Sequence, residues 1–113
     1  MSFRYQFYRL ASSLPKGATF VDVIDNHKPF DNADEIMAKL DSCFPSLRWH
    51  QAGDVVGQPW IGEGAGVAAI FSHEQGGEID HVLLKDCSVD DVRRAAKALK
   101  AVAIDAETDA VHA

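Results

Sequence analysis

Residues 60–87, WIGEGAGVAAIFSHEQGGEIDHVLLKDC, decide the fold. The spacing predicts a β-hairpin, with an apolar strand over 66–73, a turn over 74–77 and a second strand over 78–86. Gly76 and Gly77 supply the positive φ that tight hairpin connections require, and β-branched and large apolar residues fill both arms. Both arms are apolar on both sides. Val67, Ala69, Phe71, Val82 and Leu84 are assigned to the face under the helices, which leaves Ala68, Ile70, Ile79, His81 and Leu83 as an exposed apolar strip. Exposed strips of this kind mark contact surfaces, or are covered by a loop such as residues 11–31.

Upstream of the hairpin, residues 52–66 read as a loop with five glycines, Pro59 and Trp60. Leu47, Trp49 and Gln51 alternate with Arg48 and His50, the period of a strand. Before that a helix starts at Asn32, with Glu35 at the position of a capping box, and Pro45 stops it. Ala33, Ile36, Met37, Leu40 and Phe44 form its apolar stripe. Residues 11–31 read as a long loop holding an extended segment over 19–24. The chain opens on Phe3, Tyr5 and Phe7 alternating with more polar residues, a first strand ending near Leu10.

Downstream, Ser88 caps a second helix with Asp90 and Asp91 in its first turn. Val89, Val92, Ala96, Leu99 and Ala103 are read as its buried stripe, and a short strand over 102–105 follows. The residues ETDAVHA then form a turn with a last edge or a frayed end. This order is β-α-β-β-β-α-β, or β-α-β-β-α-β if the second strand is only an approach to the hairpin. It predicts an α+β fold of ferredoxin-like sandwich type, a mostly antiparallel sheet of 4–5 strands with two helices on one face.

The chain has 113 residues, 47% of them apolar, enough for one core, so residues 1–113 are read as a single domain. The stretch MSFRYQFYRL lacks the apolar core of a secretory signal, and no apolar run is long enough to span a membrane, which points to a cytoplasmic protein. Cys43 and Cys87 lack CxxC spacing and read as packed thiols in a reducing compartment. Charge is unevenly placed. Residues 1–50 carry six acids and six bases, whereas 51–91 carry eight acids (Asp54, Glu63, Glu74, Glu78, Asp80, Asp86, Asp90 and Asp91) against Lys85 alone. Such a field repels nucleic acid and anionic membrane and attracts a basic partner. The plainer reading is that the acids keep a small protein soluble.

The glycines of Gly62-Glu63-Gly64-Ala65-Gly66 do not make a phosphate loop. A strand follows them rather than a helix N-terminus, and Glu63 stands where a base would be needed. Neither the five histidines nor the two cysteines show the short paired spacing of a zinc site, so no metal and no cofactor are expected; His73 and His81 could approach across the hairpin as ordinary strand histidines. The sheet lacks the basic-aromatic pattern of an RNA binder. A catalytic Cys43 or Cys87 would need a neighbouring histidine in a groove, which spacing does not supply, and no enzyme is predicted.

The Trp-containing segment, GEGAG entry, apolar hairpin, VDDVRRAAKALK helix and AIDAETD close together resemble small bacterial immunity proteins of contact-dependent inhibition and related polymorphic toxin systems. The pattern spans about residues 47–109, and Asp109 stands where a glycine would be expected. The resemblance implies a cytosolic stoichiometric inhibitor that covers a cognate toxin domain, often a nuclease with a basic surface. In that reading Asp54, Glu63, Glu74, Glu78, Asp80 and Asp86 meet toxin Lys or Arg while Trp60, Ile70, His81 and Leu83 form the desolvated centre. The alternative is a homodimeric ligand-sensing or scaffold domain in which the same sheet face pairs with its own copy.

Overall fold

The computed structural model describes residues 4–30, 32–51, 59–64, 66–72 and 78–112. They form an α+β fold: an antiparallel sheet of eight strands with three helices. The strands are β1 (Arg4–Leu10), β2 (His27–Lys28), β3 (Arg48–Gln51), β4 (Trp60–Gly64), β5 (Val67–Phe71), β6 (Val82–Lys85), β7 (Ala101–Asp105) and β8 (Val111–His112). The helices are α1 (Phe20–Asn26), α2 (Ala33–Cys43) and α3 (Val89–Leu99). The sheet order is β3-β4-β5-β6-β1-β7-β8, with β2 paired to the end of β1. Among the described residues no helix is long and apolar enough to cross a membrane.

β1 is the middle of the sheet because it is apolar on both sides. Tyr5 and Phe7 face α2 and α3, in one cluster with Ile36, Leu40, Val92, Ala95 and Leu99; Tyr8 faces the other way, in a second cluster with Val23, Val102 and Ile104. One edge of β1 pairs Tyr5–Arg9 with β7. The other edge is shared, Arg4–Phe7 pairing with β6 and Arg9–Leu10 with β2. β6 and β7 therefore run parallel on either side of β1, joined over it by α3.

Both predicted helices start where their caps place them. The Asn32 side chain accepts the Glu35 N–H at 2.8 Å, and Ser88 and Asp91 form a reciprocal capping box. Glu35 does not complete a box with Asn32; its carboxylate lies 3.4 Å from the Arg9 guanidinium. The inward assignment of Val67, Ala69, Phe71, Val82 and Leu84 agrees with the structure, where all five are buried.

Several expectations are corrected. The sheet has eight strands rather than four or five, and the segment over 19–24, read as extended, is the start of α1. Local polar chemistry overrides its β-branched residues: Asp22 accepts the Thr19 N–H at 2.8 Å, and Val23 is fully buried against the sheet. The third helix thus lies on the face opposite α2 and α3. The stripe of α3 is Val92, Ala95 and Leu99, so Val89, read as buried, is 49% exposed. The second hairpin arm begins at Val82 rather than residue 78, because Ile79 forms a bridge with Phe30 and is buried. The turn over 74–77 lies outside the described residues.

Residues 60–64, read as loop, are strand β4, and their glycines have a packing reason. Trp49 on β3 lies over Gly62, where an added Cβ would meet the indole ring at 2.8 Å. At Gly64 an added Cβ would sit 2.2 Å from the Ser46 carbonyl oxygen, a backbone atom that cannot swing aside. Gly66, by contrast, has φ +79° with open space around it. Gly64→Ala is therefore expected to destabilise the fold by roughly 2–4 kcal/mol, against about 1 kcal/mol for Gly66→Ala. Urea unfolding of both variants checks the ranking; equal losses would contradict the close approach of β4 to residues 46–47.

Candidate functional site

The sheet has two faces, and the helices cover one and a half of them. α2 and α3 pack over the face that carries Phe7, Val67, Ala69, Phe71, Val82 and Leu84. On the opposite face the segment through α1, with Leu14, Phe20, Val23 and Ile24, covers Tyr8, Val102 and Ile104. It ends there. The remaining half, over β3 to β6, carries Ile61, Ala68, Ile70 and Leu83, half-buried residues that belong to neither buried cluster. Register brings them together: Ile61 stands opposite Ile70 and Ile70 opposite Leu83, an aliphatic row across three strands. This half-face, which no described segment covers, is the candidate functional site.

Its charge is mixed rather than acidic among the described residues. Glu63 stands opposite Arg48 on one side and Ala68 on the other, and Lys85 stands opposite both Ala68 and Arg4. Glu78 and Asp86 are exposed, Asp86 in the left-handed region at φ 60° where β6 ends. Asp54 and Glu74 lie outside the described residues, as does His73.

The predicted site residues divide accordingly. Ile70, Leu83 and Glu63 share the half-face. Trp60 does not: it pairs with the buried Phe71 and packs against the cluster under α2 and α3, on the other side of the sheet. The period of two that places Ile61 outward turns Trp60 inward. Ile79 also leaves the strip, buried against Phe30. Ile61, which a loop reading of β4 conceals, takes their place.

Asp80 and His81 mark the boundary between the covered and uncovered halves. Asp80 is engaged internally, its Oδ1 lying 2.5 Å from His27 Nε2, while His27 Nδ1 lies 2.6 Å from the Ile24 carbonyl oxygen. Carbonyl and carboxylate oxygens only accept, so this geometry is the one an imidazolium satisfies, with both ring nitrogens of His27 donating. Tyr8 lies 5.5 Å, centroid to centroid, from the rings of both His27 and His81, and donates its hydroxyl to Gln6 Oε1 at 3.2 Å. His81 Nδ1 is 3.6 Å from the second Asp80 oxygen, beyond hydrogen-bond reach. This cluster pins the end of α1 to the segment that leads into β6. Sequence inspection does not find it, because its members lie 53 residues apart along the chain.

The Cys87 thiol offers little nucleophilic chemistry. Burial above all, with the Asp91 and Asp86 carboxylates nearby, pushes the Cys87 thiol up to about 11, and Cys43 directs its Sγ at the Arg94 carbonyl oxygen 3.6 Å away. Among the described residues no three His, Cys, Asp or Glu side chains converge to hold a metal ion. No family model, curated protein or solved structure matches the chain.

The His27 pKa follows from its surroundings. Partial burial disfavours the charged ring, but the Ile24 carbonyl and the Asp80 carboxylate outweigh it and raise the pKa above the ordinary histidine value. A raised folded-state pKa stabilises the fold fully below the unfolded value near 6.5 and loses that contribution as pH rises through the folded value. The stability gap between the native chain and His27→Gln is therefore expected to be about 1 kcal/mol near pH 6 and to shrink by pH 9. Denaturant titrations at the two pH values check this; a gap that widens with pH would contradict the imidazolium.

Proposed function

We propose that this protein is a stoichiometric binding module of the toxin-neutralising immunity type, which docks a cognate protein domain on the uncovered half-face. The observation that carries the reading is the Ile61–Ile70–Leu83 row, an aliphatic centre on a face whose other half is already covered by α1. Interfaces of this kind combine a desolvated apolar centre with a polar rim, and Arg48, Glu63, Lys85 and Arg4 supply that rim. The formal net charge of −6 favours a basic partner such as a nuclease domain, by steering rather than by burial. In this reading the protein is cytoplasmic and acts by covering its partner.

The same proposal extends to the fold. The order β7-β1-β6-β5, with α3 joining β6 to β7 across β1 and α2 on the same face, supports a ferredoxin-like core. β3 and β4, β8, and the α1–β2 segment are then additions to it. The α1–β2 segment is the one that decides how much of the second face stays open.

The test is co-purification with the protein encoded immediately upstream, followed by titration of single variants. Ile70→Glu and Leu83→Glu place a charge in the apolar centre and are expected to weaken binding by about 30-fold or more, with little change in unfolding midpoint. Trp60→Phe, on the opposite side, is expected to leave affinity unchanged. Light scattering of the isolated chain at micromolar concentration is expected to show a monomer. A dimer that Ile70→Glu dissociates would replace this reading with the homodimeric one, and no binding to any neighbouring gene product would remove it.

A further inference from the structure

On the helix-covered side, away from the open half-face, α3 and the β7–β8 edge enclose a groove of about 470 Å³. Its floor is apolar, formed by Tyr5, Val92, Ala96 and Ala101, and Val89, half exposed, stands at one end. Arg93, Lys97 and Lys100 rise along its rim, and none of the three makes an ion pair among the described residues. Arg94, one position further round the helix, points elsewhere: it pairs with Asp91 and lies over the Phe44 ring. The chain carries no acid from Val92 to Ile104, and the Asp105 carboxylate acts on the floor residue Tyr5 from the position opposite it on β7.

Lys100 also lines a second, polar cavity of about 270 Å³, together with Arg9, Lys28 and Lys39 and the single acid Glu35. Six of the chain's 11 Lys and Arg residues thus line two adjoining cavities in a protein of net charge −6. Basic residues near a helix C-terminus complement its dipole, which accounts for Lys97 and Lys100 singly. The dipole does not account for an apolar trough between them and Arg93, at a helix position two turns from the C-terminus.

We propose that this groove binds a small amphiphilic organic anion, a carboxylate or phosphomonoester carrying an aromatic or aliphatic body. The accessible part of the apolar lining, Val89, Ala96 and Ala101, needs an apolar body to displace its water, so a bare inorganic anion would use only the rim. The three cations need an anionic head, so a neutral apolar molecule would use only the floor. The volume lies in the range of pockets that hold one small ligand. His112, edge-on to Tyr5 at 5.5 Å, closes the side of the groove along β8.

Titration of the full chain at low salt with 2-naphthoate and with 2-naphthyl phosphate, followed by amide NMR shifts, tests the assignment. Shift changes are expected to concentrate at Ala96, Lys97, Ala101 and His112, and the tighter of the two probes identifies the preferred head group. The neutral analogue 2-naphthalenemethanol and inorganic phosphate are each expected to bind about tenfold more weakly or worse. Arg93→Gln combined with Lys97→Gln, both on the helix surface, is expected to lower affinity about tenfold while the unfolding midpoint stays within error. Absence of shifts with both anionic probes, shifts scattered away from α3, equal binding of the neutral analogue, or full affinity in the double variant would each overturn the proposal.

Discussion

The structure depends on a single strand buried on both sides. β1 is paired over Tyr5–Arg9 on one edge with β7 and is divided on the other between β6 and β2, so strands flank it on both edges. Its side chains then anchor everything above and below. Phe7, fully buried, sits under α2 and α3, and Tyr8 sits under the α1 segment. Arg9, only 8% exposed, sends its guanidinium to the Leu99 carbonyl oxygen at 3.1 Å, to Glu35 of α2 at 3.4 Å and beneath the Phe30 ring at 4.8 Å. One cation thus satisfies the last turn of α3, neutralises the first turn of α2 and holds the strap that follows β2. A buried charge is tolerated only with partners of this kind.

From that constraint the uneven cover of the second face follows. The chain between β1 and α2 must return from the end of β1 to the start of α2, and it does so through α1 and β2, which fold back on the β1–β7–β8 side. His27 closes this strap by gripping Asp80, and Ile79 buries itself beside Phe30 one residue before. Nothing comparable returns over β4, β5 and β6 among the described residues. The half-face they carry is left aliphatic at its centre and charged at its rim.

What could be read from the residues alone was whatever local chemistry declares. Asn32 and Ser88 name the starts of their helices because their side chains cap them, and the parity of Val67, Ala69 and Phe71 names the buried side of β5. Most of what the fold reverses depends on partners distant in sequence, the local cap of α1 being the exception. β4 was hidden because Gly62 and Gly64 look like loop residues until Trp49 and Ser46 are seen to press against them. α1 was hidden because Val21, Val23 and Ile24 favour strands, and only the Thr19–Asp22 cap and the buried Val23 side chain reverse that preference. Charge counted along the chain located the acids of residues 51–91 and Lys85 but not the bases that folding adds: Arg48 and Arg4 come from two other strands to share the same face. The basic side of the molecule was equally invisible, since Arg9, Lys28, Lys39 and Lys100 meet only after folding.

Among the described residues the second face is half covered and half open. Methyl relaxation measured with a soluble nitroxide reads this directly, because the probe broadens only side chains it can approach. Strong enhancement at the Ile61, Ile70 and Leu83 methyls, with little at Val23 and Ile104, is the predicted result. Uniform protection across all five would contradict it and would mean that the candidate face is already part of the core.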